Sequence, residues 1–223
     1  MKKTILLTFA GTLLAIGSVH AQIATWDVQG TGTSNNTGYA AGFVAPNADA
    51  SGLGRTTVNW VNAGNSFNSN NWNLGAFDET TNYINFTITP DAGYEITYTS
   101  LQFAMNGSNT APQQGRWGYR IGSGSFTTFD FTLTNPAPTS LQTWNFTDFT
   151  TDQVVEFRFW AFGSTSINGG TSATGGTVRI ANISGNDLIL NGSVALIPEP
   201  STYALLALGL GALIFLRRRT SRA

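Results

Sequence analysis

No cysteine occurs in the 223 residues, and the chain holds a single histidine, His20. Its only lysines are Lys2 and Lys3. Without cysteine no disulfide can staple the fold and no thiolate can serve as a nucleophile or metal ligand, so stability must come from core packing. Beyond residue 21 there is no His, Cys or Lys. That excludes Ser-His-Asp and Cys-His nucleophilic sites, histidine-bound zinc and lysine Schiff-base chemistry from the body of the chain. No glycine-rich phosphate loop opens a helix, so nucleotide hydrolysis has no support either.

Charge is also scarce, at 10% of residues against roughly 25% in ordinary soluble domains. Solubility therefore rests on Asn, Thr, Ser and Gly, a composition typical of secreted surfaces. Between Gln22 and Pro200 the basic residues are Arg55, Arg116, Arg120, Arg158 and Arg179, five against the 12 Asp and Glu, which makes this stretch acidic. Phosphate neutralisation needs clustered Lys and Arg, so a nucleic-acid partner is not expected.

The remaining basic residues sit at the two ends. Lys2 and Lys3 precede an apolar run from Ile5 to Val19, and Val19-His20-Ala21 places small residues where a signal peptidase reads them. Residues 1–21 thus read as a Sec-type signal peptide, cut between Ala21 and Gln22. At the other end, Pro198-Glu199-Pro200-Ser201-Thr202 leads into fourteen apolar or aromatic residues, Tyr203 to Leu216, and then Arg217-Arg218-Arg219. Two prolines in three residues stop a strand and fix an extended entry to the next segment. The apolar run suits a helix of roughly 21 Å. That is short of a ~30 Å hydrocarbon core unless the flanking residues extend it, so it reads as a marginal single transmembrane helix with its arginines on the cytoplasmic side.

This order of Pro-Glu-Pro, short apolar helix and terminal arginine cluster resembles the PEP-CTERM protein-sorting signal. The resemblance covers residues 198 to 219 and divides the chain into signal peptide 1–21, body 22–196 and sorting signal 197–223. It implies recognition by a membrane protease of the exosortase type near Pro198-Glu199-Pro200, with Arg217, Arg218 and Arg219 closing the signal. It further implies release of a membrane-anchored precursor to the cell surface or extracellular matrix, in a setting of exopolysaccharide production and biofilm formation.

From Ile23 to Leu196 the dominant period is two, broken by Gly, Asn, Ser and Pro about every ten residues. This predicts an all-β, antiparallel sandwich of eight to ten strands, of jelly-roll type. Ile84, Phe86 and Ile88 alternate with polar residues and, through the turn Pro90 to Gly93, predict a hairpin with Tyr94 to Tyr98. Leu101, Phe103 and Met105 are expected on one strand face. Trp117, Tyr119 and Ile121 predict another hairpin, through Gly122-Ser123-Gly124, with Phe129 and Phe131. Val154 to Phe162 should cross the centre of a sheet with Val155, Phe157 and Phe159 on one face and Glu156, Arg158 and Trp160 on the other. Val178 with Ile180 and Leu188 with Leu190 supply the last strands. Gly30 to Asn82 and Gly163 to Gly176 lack alternation and read as long loops, where binding surfaces concentrate.

Two chemistries remain open to such a body. A glycosidase needs only two carboxylates across the scissile bond, and Asp130, Asp148, Asp152 and Glu156 are the candidates. Against this, Asp148 and Asp152 read as turn residues and Glu156 with Arg158 as a surface ion pair, so no catalytic residue is expected. A structural calcium would draw on Asp78-Glu79 or Asn186-Asp187, although neither resembles an EF-hand loop. Six tryptophans fall in the body: Trp26, Trp60, Trp72, Trp117, Trp144 and Trp160. An indole face covers the apolar side of a sugar while neighbouring amides bond its hydroxyls. Trp60 and Trp72, flanked by Asn59, Asn62, Asn71 and Asn73, are the carbohydrate candidates, and Trp26 and Trp144 are expected in the core. The leading expectation is a non-enzymatic exported module that contacts extracellular polysaccharide. The alternatives are a carbohydrate-active enzyme on the same fold and a self-assembling matrix subunit.

Overall fold

The computed structural model describes residues 21–198 except 33, 36 and 37, together with 208–210 and 217. Residues 1–20 of the segment 1–21 read as a signal peptide, together with Glu199, Pro200, Arg218, Arg219 and most of the apolar run, lie outside the described residues. Leu208 to Leu210 are helical. Among the described residues no helix is long and apolar enough to cross a membrane.

The body is almost entirely β. Its strands are β1 (Ala21–Trp26), β2 (Phe43–Val44), β3 (Ala48–Ala50), β4 (Gly54–Thr56), β5 (Asn59–Trp60), β6 (Ser66–Asn70), β7 (Tyr83–Pro90) and β8 (Tyr94–Phe103). They continue with β9 (Met105–Gly107), β10 (Pro112–Ile121), β11 (Thr127–Thr132), β12 (Gln142–Thr151), β13 (Val155–Ser166), β14 (Val178–Ala181) and β15 (Leu188–Leu196). A five-stranded sheet has the order β12-β8-β15-β1-β2, and a six-stranded sheet the order β11-β10-β13-β7-β3, with β4 also on β7. A smaller sheet of order β5-β6-β14-β9 stands beside them. The pairings between these strands are all antiparallel.

The two large sheets close on each other through the apolar half of each alternation. Trp26 meets Phe86 at 4.5 Å between ring centroids, Phe103 meets Trp117 at 5.8 Å, and Tyr119 stacks on Phe149 at 4.4 Å. Each pair joins a ring of one sheet to a ring of the other. As the alternation of Val155, Phe157 and Phe159 predicts, β13 lies inside the six-stranded sheet between β10 and β7, with these three side chains fully buried. The hairpin through Gly122 to Gly124 forms between β10 and β11.

Three expectations change. Pro90 to Gly93 does make a turn, closed by Tyr94 N–H on Asp91 C=O at 3.0 Å. It is not a hairpin, however, because β7 pairs in the six-stranded sheet and β8 in the five-stranded one. Two strands facing each other across a core show the same alternation as two strands side by side, so the pattern predicts an inward face and not a neighbour. Likewise Phe103 and Met105 fall on different strands: the chain changes sheets at Ala104, whose N–H donates to Asp187 C=O at 2.9 Å. Finally, Gly30 to Asn82 is no unstructured loop, since it carries β2 to β6. These strands are two to five residues long, too short to display a period. They are joined by left-handed residues at Asn47, Asn65 and Asn71, with φ of 63°, 54° and 63°, a conformation that asparagine tolerates better than most residues.

Candidate functional site

The outer face of the six-stranded sheet holds most of the body's arginines. On β10 and β13 the outward residues are Gln114, Arg116, Arg120, Glu156, Arg158, Trp160 and Phe162. Trp160, Tyr83 and Phe162 are buried there as a second small core, with Phe126 edge-on to Trp160 at 5.1 Å and Phe77 at 5.3 Å. The space for these rings exists because Gly118 has no side chain: a Cβ there would lie 3.0 Å from Trp160 and 3.3 Å from Phe126. Guanidinium groups cover the rings, with Arg158 4.0 Å from the Tyr83 centroid and Arg116 4.2 Å from that of Phe77.

The carboxylates on this face are matched by the arginines. Arg116 grips Asp130 with Nε and Nη2, and the bond from Asp130 holds the guanidinium above its ordinary pKa. Glu156 accepts Arg158 Nε at 2.7 Å and Arg120 Nε at 2.8 Å. The Glu156–Arg158 pair expected on one strand face is therefore present, but its side chains are only 13% and 10% exposed, so it is a largely buried pair joined by the half-buried Arg120 and not a surface pair. Register places Asp130 beside Arg116 and Trp160, four residues along the sheet from Glu156, or roughly 13 Å. Asp148 lies in the other sheet, on β12 where its register against β8 shifts between Asn145 and Phe149, and is no turn residue. Asp152 occupies the exposed bend after β12.

The calcium candidates have other occupations. Asp78 accepts the N–H and hydroxyl of Thr80 at 2.8 and 2.7 Å, bonds that hold its carboxyl below the usual range. Glu79 offers its backbone C=O to Arg158 at 2.9 Å. Asp187 is fully buried, and its carboxylate accepts Val28 N–H at 2.9 Å and Ile183 N–H at 2.8 Å. Desolvation raises its pKa. Among the described residues no three His, Cys, Asp or Glu side chains gather around a common point that could hold a metal ion.

The tryptophans are mostly core. Trp26, Trp117 and Trp160 are fully buried and Trp144 nearly so. Trp72, chosen as a sugar platform, is 3% exposed; its Nε1 donates to Ser69 C=O at 2.8 Å and its ring meets Phe159 edge-on. A ring enclosed in this way has no face to offer a sugar. Trp60 is half-buried on β5. The neighbouring amides are also engaged: Asn71 Nδ2 donates to Thr57 C=O and Asn73 Nδ2 to Ala76 C=O.

A different polar surface lies on the outer face of the five-stranded sheet. Thr99, Ser100 and Gln102 of β8, Asn145 and Asp148 of β12 and Asn191 of β15 line a concavity of about 430 Å³, walled on one side by Phe146. Asn191 donates to Ser100 Oγ at 3.1 Å, and Thr97 and Thr150 share a 2.7 Å bond nearby. Among these groups only Asp148 is charged. Their signal in the sequence is the polar half of the strand alternation, which carries no aromatic marker.

The chain leaves this same sheet at its C-terminal end. β15 pairs with β8 up to Leu196 opposite Tyr94, and Ile197 N–H donates to Gly93 C=O at 2.8 Å. Pro198 is the last described residue before the apolar run. The body is nearly all β and antiparallel, and it is the C-terminal motif that suggests an exported protein sorted by its C-terminus. Residues 196–219 match the PEP-CTERM protein-sorting motif, and the chain thus carries that signal, which implies processing by exosortase. No curated protein matches the chain.

Proposed function

We propose that this chain is a non-enzymatic module of the cell surface or extracellular matrix. It is exported through its signal peptide, anchored as a precursor by its C-terminal helix, processed by exosortase, and bound to exopolysaccharide through the outer face of the five-stranded sheet. The single observation carrying the binding reading is the concavity between β8, β12 and β15, where hydroxyl and amide groups converge around one carboxylate. Uncharged planar amides that both donate and accept suit the paired hydroxyls of a neutral sugar, and the volume falls in the range of small-ligand sites.

The body is, on this reading, a jelly roll. Support comes from the order β1-β15-β8-β12 in one sheet facing β7-β13-β10-β11 in the other, because successive long strands then cross between sheets as two interleaved Greek keys. A non-catalytic role is supported by the engagement of Asp130 and Glu156 with arginines, roughly 13 Å apart along the sheet, beyond the 5 to 10 Å that paired-carboxylate hydrolysis uses. A body needing no calcium is supported by the backbone and threonine bonds that occupy Asp187 and Asp78.

Affinity electrophoresis tests this, with dextran and hydroxyethylcellulose as neutral glycans and alginate as an anionic one. Retardation by a neutral glycan, lost in Asn145→Ala and Asp148→Ala and kept in Arg116→Ala, is the expected result. Retardation by no glycan would overturn the binding reading. Release of reducing ends would then mark an enzyme, and concentration-dependent association without glycan a self-assembling matrix subunit.

A further inference from the structure

The sorting motif begins inside the folded sheet: its first matched residue, Leu196, is the last residue of β15 and pairs with Tyr94. Ile197 adds one further bond, to Gly93. From Pro198 to the first apolar residue, Tyr203, there are five residue steps, which reach at most about 18 Å however the chain runs. The body is therefore tethered within about 18 Å of the segment read as membrane-inserting.

That attachment point marks one end of the sandwich. Asp91 N–H donates to Asn47 C=O at 3.1 Å, and Gly122 N–H to Val154 C=O at 2.8 Å. Val155 pairs with both Ile88 and Ile121, and Thr151 with Ile96. The turns Pro90 to Gly93, Gly122 to Gly124 and Asp152 to Val154 therefore cluster beside Ile197. The opposite end holds the start of β10 opposite the end of β13 at Pro112 and Ser166, and the start of β15 opposite Phe103. Ten-residue strands such as β8 and β10 put the two ends roughly 30 Å apart.

We infer that in the membrane-inserted precursor the body stands on the bilayer by the Pro90–Gly93 end, its turns against the lipid headgroups. The opposite loops, around Thr139 and Ser184, point away. This rests on the reading that the tail inserts. Attachment, not lipid affinity, sets the orientation, since Asp49, Asp91, Glu95 and Asp152 make this end acidic and would be repelled by an anionic surface. The glycan face, whose strands run from one end to the other, then stands upright beside the membrane and open to the matrix.

The absence of native cysteine makes the test direct. Chains beginning at Gln22 and keeping the whole tail, with Ala92→Cys, Ser123→Cys, Thr139→Cys or Ser184→Cys, all exposed positions, are labelled with a fluorescent donor and reconstituted into phosphatidylcholine vesicles with a headgroup acceptor. Energy transfer at least two-fold higher from positions 92 and 123 than from 139 and 184 is expected. A twelve-residue Gly-Ser insertion between Ile197 and Pro198 should erase the difference. Equal or reversed transfer in chains that float with the vesicles would overturn the orientation and leave anchoring intact. Chains that fail to float would overturn the anchoring reading, and the orientation with it.

Discussion

The carboxylate of Asp187 accepts the backbone N–H of Val28, 159 residues earlier in the chain, at 2.9 Å. The same residue binds Ile183 N–H through its other oxygen, Trp26 C=O through its N–H and Ala104 N–H through its C=O. It therefore clasps the end of β1, the crossing from β8 to β9 and the start of β15. Asp187→Ala should orphan the buried N–H of Val28 and the half-buried N–H of Ile183 and lower stability by about 2–5 kcal/mol, read as a urea midpoint shift with unchanged slope. A loss under 1 kcal/mol would contradict the clasp.

The same side chain gives a pH signature. Burial raises its folded pKa above the ordinary carboxylate value, so between those two values the folded state binds more protons than the unfolded one, and this contribution to stability declines as pH rises. Asp187→Asn has no such titration. The stability difference between wild type and Asp187→Asn should move in favour of wild type on acidifying from pH 7 toward pH 4. A flat difference, or the reverse slope, would reject the assignment.

On the six-stranded sheet, Trp160→Ala should cost about 3–5 kcal/mol, because the ring is the centre of the apolar cluster with Tyr83 and Phe162. Glu156→Ala leaves the guanidinium groups of the half-buried Arg120 and the buried Arg158 without their shared acceptor and should cost about 2–3 kcal/mol. Combined, the two losses should fall short of additive, since both loosen the packing around Tyr83 and Phe126, which touch Trp160 and lie under Arg158 and Arg120. Denaturant unfolding of the single and double variants decides this.

A backbone contact makes a sharper prediction at Gly192. A Cβ there would lie 2.0 Å from the C=O of Thr97, at the register shift between β15 and β8. Two strands in the middle of a sheet cannot part without losing their ladder. Gly192→Ala should therefore fail to yield soluble folded protein, whereas Gly175→Ala, with open space around it, should fold normally.

How far the sequence carries this structure differs from element to element. The alternation in β13 locates Phe157 and Phe159 in the core and Glu156 beside Arg158 outside it, because a long central strand is forced into a strict period by burial. The same alternation misleads at Pro90 to Gly93, where an inward face is shared by two sheets. Trp72 reads as a platform among its asparagines, yet the amides of Asn71 and Asn73 bond backbone carbonyls and the ring packs into the core. The concavity of Ser100, Gln102, Asn145 and Asn191 is invisible beforehand, because it depends on which strands become neighbours and on a register shift in β12. The tail is the opposite case: its motif is contiguous, so it is readable without any fold.

The most direct test of the account is the intact mass of the protein recovered from the surface fraction of its host. Sorting through the tail predicts a chain beginning at Gln22 and ending near Pro198-Glu199-Pro200, without the apolar run or Arg217. A surface chain that retains Tyr203 through Arg219 would contradict it.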